Sequence, residues 1–151
     1  FEGVEGGDAG FLAMLYEIIR DRPDVQRGWL EAELDAQLFL KDLGNATAVS
    51  QMADDQTEGM DRRVLWASLY GQNASDIGGG EEKLTLRYVF DDTARQLVTA
   101  ATRFLHGRKV VPNEILRPEA IMDDVAKAVL TSRGLTAPIG FVGEQPDSAY
   151  E

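Results

Sequence analysis

EEKLTLRYVFDDTARQLVTAATRFLH, residues 81–106, is the stretch on which the fold class turns. In its first half Leu84, Leu86, Tyr88 and Phe90 alternate strictly, the pattern of a half-buried strand. Over its whole length Leu86, Phe90, Thr93, Leu97, Ala100 and Phe104 step by four and three, which is one face of a helix. Glu81 and Glu82 would then sit at the helix N-terminus, where the macrodipole favours acids. A strand needs a partner, and the best other candidates are the short pieces 110–111 and 139–142. One long helix over about 81–106 is therefore the preferred reading. The alternative is a short strand at 84–90, with Asp91 or Asp92 capping a separate helix over 93–106.

Upstream, QNASDIGGG at 72–80 ends in three successive glycines and reads as a Gly-rich hinge. Before it, Thr57 is placed to cap a helix over 58–70, with Met60, Val64, Leu65, Ala67 and Tyr70 inward. A short helix covers 46–54, with Val49 and Met52 inward. The widest apolar face belongs to about 23–43. Leu30, Leu34 and Leu38 sit four apart, Ala36, Leu40 and Leu43 add an adjacent row, and Trp29 and Phe39 broaden it further. Pro23 suits the first helical turn, and Gly44 and Asn45 suit the stop. An earlier helix carries the stripe Phe11, Met14, Leu15, Ile18 and Ile19, with Asp8 as a possible cap and Pro23 as its end.

Residues 1–10 read as a flexible N-terminal arm. Downstream, Gly107 closes the 81–106 helix. Pro118 and Gly134 bracket a last helix over 118–132, with Ile121, Met122, Val125 and Val129 inward. Residues 135–151 read as an irregular C-terminal tail. The expected fold is mainly α, a compact bundle of about five or six helices in a single helical domain over 11–134.

Composition narrows the chemistry. A length of 151 residues suits one domain with one core. The absence of cysteine excludes disulfide scaffolds, thiolate zinc sites, iron–sulfur clusters and a cysteine nucleophile. His106 is the single histidine, so multi-histidine metal sites are excluded and a catalytic triad has one candidate base. No apolar run approaches the roughly 20 residues of a membrane span, and no signal-peptide pattern is seen. A cytoplasmic or virion location is expected, without membrane contact. The net charge is −11, which argues against direct nucleic-acid binding. The charge is uneven: residues 1–80 carry 15 acidic and 6 basic side chains, whereas 95–134 carry 4 acidic and 7 basic.

Three aspartate pairs occur. Asp54, Asp55 and Glu58 in DDQTE have a spacing that can offer oxygen ligands to Mg²⁺; a polar helix end with caps is the preferred reading of them. Asp91–Asp92 and Asp123–Asp124 read as a cap and an exposed helix face. RFLHGRK, residues 103–109, gathers Arg103, His106, Arg108 and Lys109 at a helix C-terminus. These could hold an anion, but cations at that end are also favoured by the dipole. The glycines at 78–80 lack phosphate-loop spacing. No cofactor is expected.

The apolar surplus on 23–43 points to a surface covered by something else. The expectation is a non-enzymatic helical subunit or adaptor that binds other protein subunits, or itself, within a cellular complex or a virus particle. Trp29, Leu30, Phe39 and Leu40 would be its apolar anchors, with Arg103, Arg108 and Lys109 as a polar rim. Two alternatives stay open: an acidic decoy for a nucleic-acid-binding partner, and a small Mg-dependent enzyme built on the DDQTE carboxylates.

Overall fold

The computed structural model describes residues 12–72 and 84–150. The expected N-terminal arm, the Asp8 cap, Phe11 and all but the first residue of the 72–80 hinge lie outside these. The described chain is mainly helical, with six α-helices and one small two-stranded sheet. The helices are α1 (Tyr16–Asp21), α2 (Pro23–Lys41), α3 (Ala46–Gln56), α4 (Arg62–Tyr70), α5 (Asp92–Gly107) and α6 (Asp124–Ser132). The strands are β1 (Thr85–Leu86) and β2 (Gly140–Phe141). They pair antiparallel, with Thr85 opposite Phe141 and Leu86 opposite Gly140.

The preferred long helix over 81–106 is not what forms. Local capping decides it: the Asp91 carboxylate accepts from the Ala94 amide at 2.8 Å, starting α5 there. Tyr88 sits at φ 63°, a left-handed conformation that no helix continues through. The strand finds its partner at 140–141, inside one of the two short candidates. Other boundaries shift for similar reasons. The helix expected over 58–70 begins only at Arg62, because Gly59 turns the chain at φ 84° and Asp61, not Thr57, caps it by accepting from the Arg63 amide at 2.7 Å. Thr57 instead ends α3. The helix expected over 118–132 is split into a 3-10 turn at Pro118–Ala120 and α6, because Ile121 is extended. The first helix is cut to six residues, with residues 12–15 non-helical before it.

The chain divides into two compact units. One comprises Phe1–Leu30 and Arg87–Leu135, the other Glu31–Leu86 and Thr136–Glu151. In the first, Ala126, Val129 and Leu130 on α6 are buried. Asp123, also buried, accepts from Arg95 at 2.7 Å and from Lys127 at 2.8 Å, so its charge is compensated where solvent cannot reach it. The Tyr88 hydroxyl donates to the Leu30 carbonyl at 2.6 Å, which anchors the left-handed residue.

In the second unit, Leu34, Ala46, Trp66, Tyr70, Leu86, Ile139 and Val142 form the core. The segment expected to be an irregular tail carries β2 and stitches this unit together. The Ile139 and Val142 amides donate to the Leu86 and Leu84 carbonyls, at 2.9 and 3.0 Å. The Gln145 amide donates to the Tyr70 carbonyl at 2.7 Å, beside Gly71. A Cβ at Gly71 would lie 2.5 Å from the Ala67 carbonyl oxygen, so the close approach requires glycine. Tyr150 packs edge-on against the buried Trp66, with ring centroids 5.6 Å apart, while Arg62 and Arg63 lie over its ring.

Candidate interaction groove

Within the first unit, α1, the N-terminal turns of α2, α5 and residues 116–122 enclose a half-open groove of about 1130 Å³. The reason lies in α5. Leu97, Val98, Ala101, Phe104 and Leu105 follow a 3.6-residue period and give it a strongly amphipathic face. None of its residues is buried, and Phe104 remains 45% exposed. The opposite wall is no better covered: Trp29 is 56% and Leu15 68% exposed. Apolar side chains are gathered here and then left facing solvent.

The polar groups are few. Glu119 is the one charged residue among the described lining residues. The Thr102 hydroxyl, also lining, donates to the Val98 carbonyl at 2.8 Å. Gln26 is 7% exposed and lines the groove, and its backbone amide donates to the Arg22 carbonyl at 3.2 Å. On the α1–α2 side the charges pair locally: Arg20 grips Asp21 through two bonds of 2.7 Å, and Arg22 grips Asp24 at 3.0 and 2.8 Å. The guanidinium partners hold both carboxyls below the usual aspartate range. At the C-terminal end of α5, Arg108 lies over the Phe104 ring at 5.5 Å. Lys109, beside it, makes no ion pair with a described residue.

The residues expected as anchors divide between the two units. Trp29 and Leu30 line the groove. Phe39 and Leu40 belong to the other unit, where Phe39 is 40% exposed and the Leu40 carbonyl accepts from the buried Tyr70 hydroxyl at 2.9 Å. The expected rim also separates. Arg108 stands at the groove through Phe104. Helical rotation of 100° per residue places Arg103 on the side of α5 opposite Ala101 and Leu105. Lys109 and His106 line a smaller hollow of about 410 Å³ with Val110, Val111 and Pro112.

Of the DDQTE carboxylates, Asp55 accepts from Gln51 within α3 at 2.8 Å, and the Asp54 carbonyl accepts from the Thr57 amide where the helix ends. Among the described residues no group of three or more His, Asp or Glu is placed to hold a metal ion. No helix among them is long and apolar enough to cross a membrane.

Sequence reasoning missed most of the groove. Tyr16 and Leu116 line it from a short helix and a non-helical segment, where periodicity carries no information. Gln26 had a signal: it precedes Leu30 and Leu34 at the same four-residue spacing, a polar residue inside an apolar stripe. Comparison with known proteins adds no relative: no family model, no curated protein and no solved structure matches this chain.

Proposed function

We propose that this chain is a non-enzymatic helical subunit or adaptor, working in a cytoplasmic complex or a virus particle, that binds another protein through the groove of its first unit. The observation that carries the reading is the groove itself, a concave surface walled by α5 and by Trp29 and Leu15, all of them substantially exposed. Covering such side chains is worth about 1.5–3 kcal/mol each, enough for a few anchors to hold a complex. Its volume is a little above the range of about 300–1,000 Å³ typical of small-molecule pockets, and its half-open form suits a macromolecule better than a buried ligand. Buried aromatic anchors dominate such interfaces, so Trp29 is the expected centre of binding energy.

The test is site-directed photocrosslinking. A benzophenone amino acid replacing Tyr16, which is exposed at the groove, should form a saturable adduct with a polypeptide. Leu105→Asp should abolish it. Absence of any polypeptide adduct from this position would remove the reading.

A second reading, the acidic decoy, draws on the other unit. Its sequence carries 14 Asp and Glu against 4 Lys and Arg. Binding to a basic partner through that unit would weaken steeply with salt, and a flat salt response would dispose of it.

A further inference from the structure

We propose that Tyr150 is a phosphorylation site, and that Arg62 and Arg63 are the receptor that holds the phosphoryl group once it is on the phenol. The proposal lies in the second unit and is independent of the groove. It starts from a cluster of donors. Arg62 Nε donates to the Tyr150 hydroxyl at 3.1 Å, and Arg62 Nη1 donates to Gln51 Oε1 at 3.1 Å. The guanidinium groups of Arg62 and Arg63 lie 5.4 and 5.7 Å from the centre of the Tyr150 ring. Asp61, next to Arg62, uses a carboxylate oxygen to accept from the Arg63 amide as the cap of α4. The Arg63 guanidinium has no hydrogen bond or ion pair with a described residue, and the Tyr150 proton meets no acceptor among them. Guanidinium groups gathered round a tyrosine are the chemistry that recognises its phosphate ester, through charge-assisted hydrogen bonds.

Net charge separates an ester on Tyr150 from a free anion. The unit's sequence carries 14 Asp and Glu against 4 Lys and Arg, and 2 of those 4 are Arg62 and Arg63. Such a surplus repels a dissolved anion, whereas a phosphoryl group bonded to Tyr150 is kept beside the arginines by its own chain. The attachment of this end is also narrow. Gln145 is tied by its amide to the Tyr70 carbonyl. Beyond it, the hydrogen bonds and ring contacts that join 146–150 to the rest of the unit, among the described residues, all run through Tyr150. Release of this one side chain presents it to a kinase, and after modification it returns to stronger partners. In the transfer the Tyr150 oxygen attacks the γ-phosphorus of a nucleoside triphosphate. The new O–P bond forms, the bond from that phosphorus to the bridging oxygen breaks, the nucleoside diphosphate leaves with the electron pair, and the phenolic proton passes to the kinase's base. The added charge, about −1.5 to −2 at neutral pH, then faces two cations and fastens the segment to the first turn of α4.

The experiment uses the full chain. A broad-specificity tyrosine kinase with Mg²⁺ and ATP should phosphorylate it, and mass spectrometry of its peptides should place the group on Tyr150. Tyr150→Phe, which keeps the ring, should lose that label. Label confined to Tyr16, which is 59% exposed, would overturn the assignment. The receptor is tested on the chain with phosphorylated Tyr150 installed by genetic code expansion. Followed by phosphorus NMR, the second pKa of the phosphate should fall from about 6 to about 5 in the folded chain. It should return to its ordinary value in urea and in Arg63→Gln. Arg63 is exposed, and circular dichroism checks that its variant is folded. The phosphorylated chain should also have a higher urea midpoint than the parent. A phosphate with its ordinary pKa in the folded chain, or one indifferent to Arg63→Gln, would overturn the proposal. So would saturable binding of inorganic phosphate at millimolar concentration by the unmodified chain, which would make the cluster a site for a free anion.

Discussion

Asp91 shows how one polar side chain can serve folding: its carboxylate accepts from the Ala94 amide at 2.8 Å and so starts α5. The Ala94 amide, with Arg87 beside it, holds its carboxyl below the ordinary aspartate range. Its contribution is present above the unfolded value near pH 4 and is lost as pH falls through the folded one. Asp91→Ala should cost about 1 kcal/mol at neutral pH, and the difference from the parent should shrink on acidification. The two tryptophans offer a direct check of the groove wall. Trp29 is 56% exposed and Trp66 is buried, so acrylamide should quench the first and spare the second. Trp29→Phe should leave only blue-shifted, protected emission.

At the scale of elements, the ends of helices decide the architecture more than their middles do. Gly71 shows how tightly one end is built: the chain leaves α4 there with its Cα against the Ala67 backbone, and Gln145 pairs beside it. Gly71→Ala should destabilise the second unit by at least about 2 kcal/mol, measured by urea unfolding, because backbone cannot step aside as a side chain can. The same emphasis on ends explains what was legible beforehand. The middles of α2, α3, α4 and α5 were readable, since each repeats apolar residues at helical spacing. The starts of α4 and α5 were misread because Thr57 competes with Asp61, and Glu81 with Asp91, for the same role. Only the fold, through Gly59 and Tyr88, selects between them. The β1–β2 pair was legible as fragments but not as a sheet: two residues at 85–86 meet two at 140–141, and no local pattern records a pairing across that separation. Of the groove, the sequence showed Trp29 and Leu30 as surplus apolar surface, while Phe39 and Leu40, on the same helix, belong to the other unit. A surplus visible along one helix does not reveal which neighbours leave it open.

For the whole molecule, the balance of −11 places stability under the control of proton binding at both ends of the pH scale. At the alkaline end one group stands out. Burial pushes the Tyr70 hydroxyl up to about 12 from the ordinary value near 10. Its donated bond to the Leu40 carbonyl requires the proton to stay. Folded Tyr70 thus holds its proton more tightly than the unfolded chain does. The linkage is absent as a pH effect below about 10, and stability falls as pH rises from there towards about 12. The loss across this window is about 2 kcal/mol. Tyr70→Phe keeps the ring in the core and removes the ionisation. It should be less stable than the parent by about 1 kcal/mol at neutral pH, for want of the hydrogen bond. With rising pH the two stabilities should converge and then cross, because only the parent must surrender a buried phenolate. Absorbance at 295 nm, following the four tyrosines of the chain, should show one that ionises only as the fold is lost. If all of them titrate together near 10 with the fold intact, Tyr70 is open to water and the core of the second unit is looser than its packing indicates.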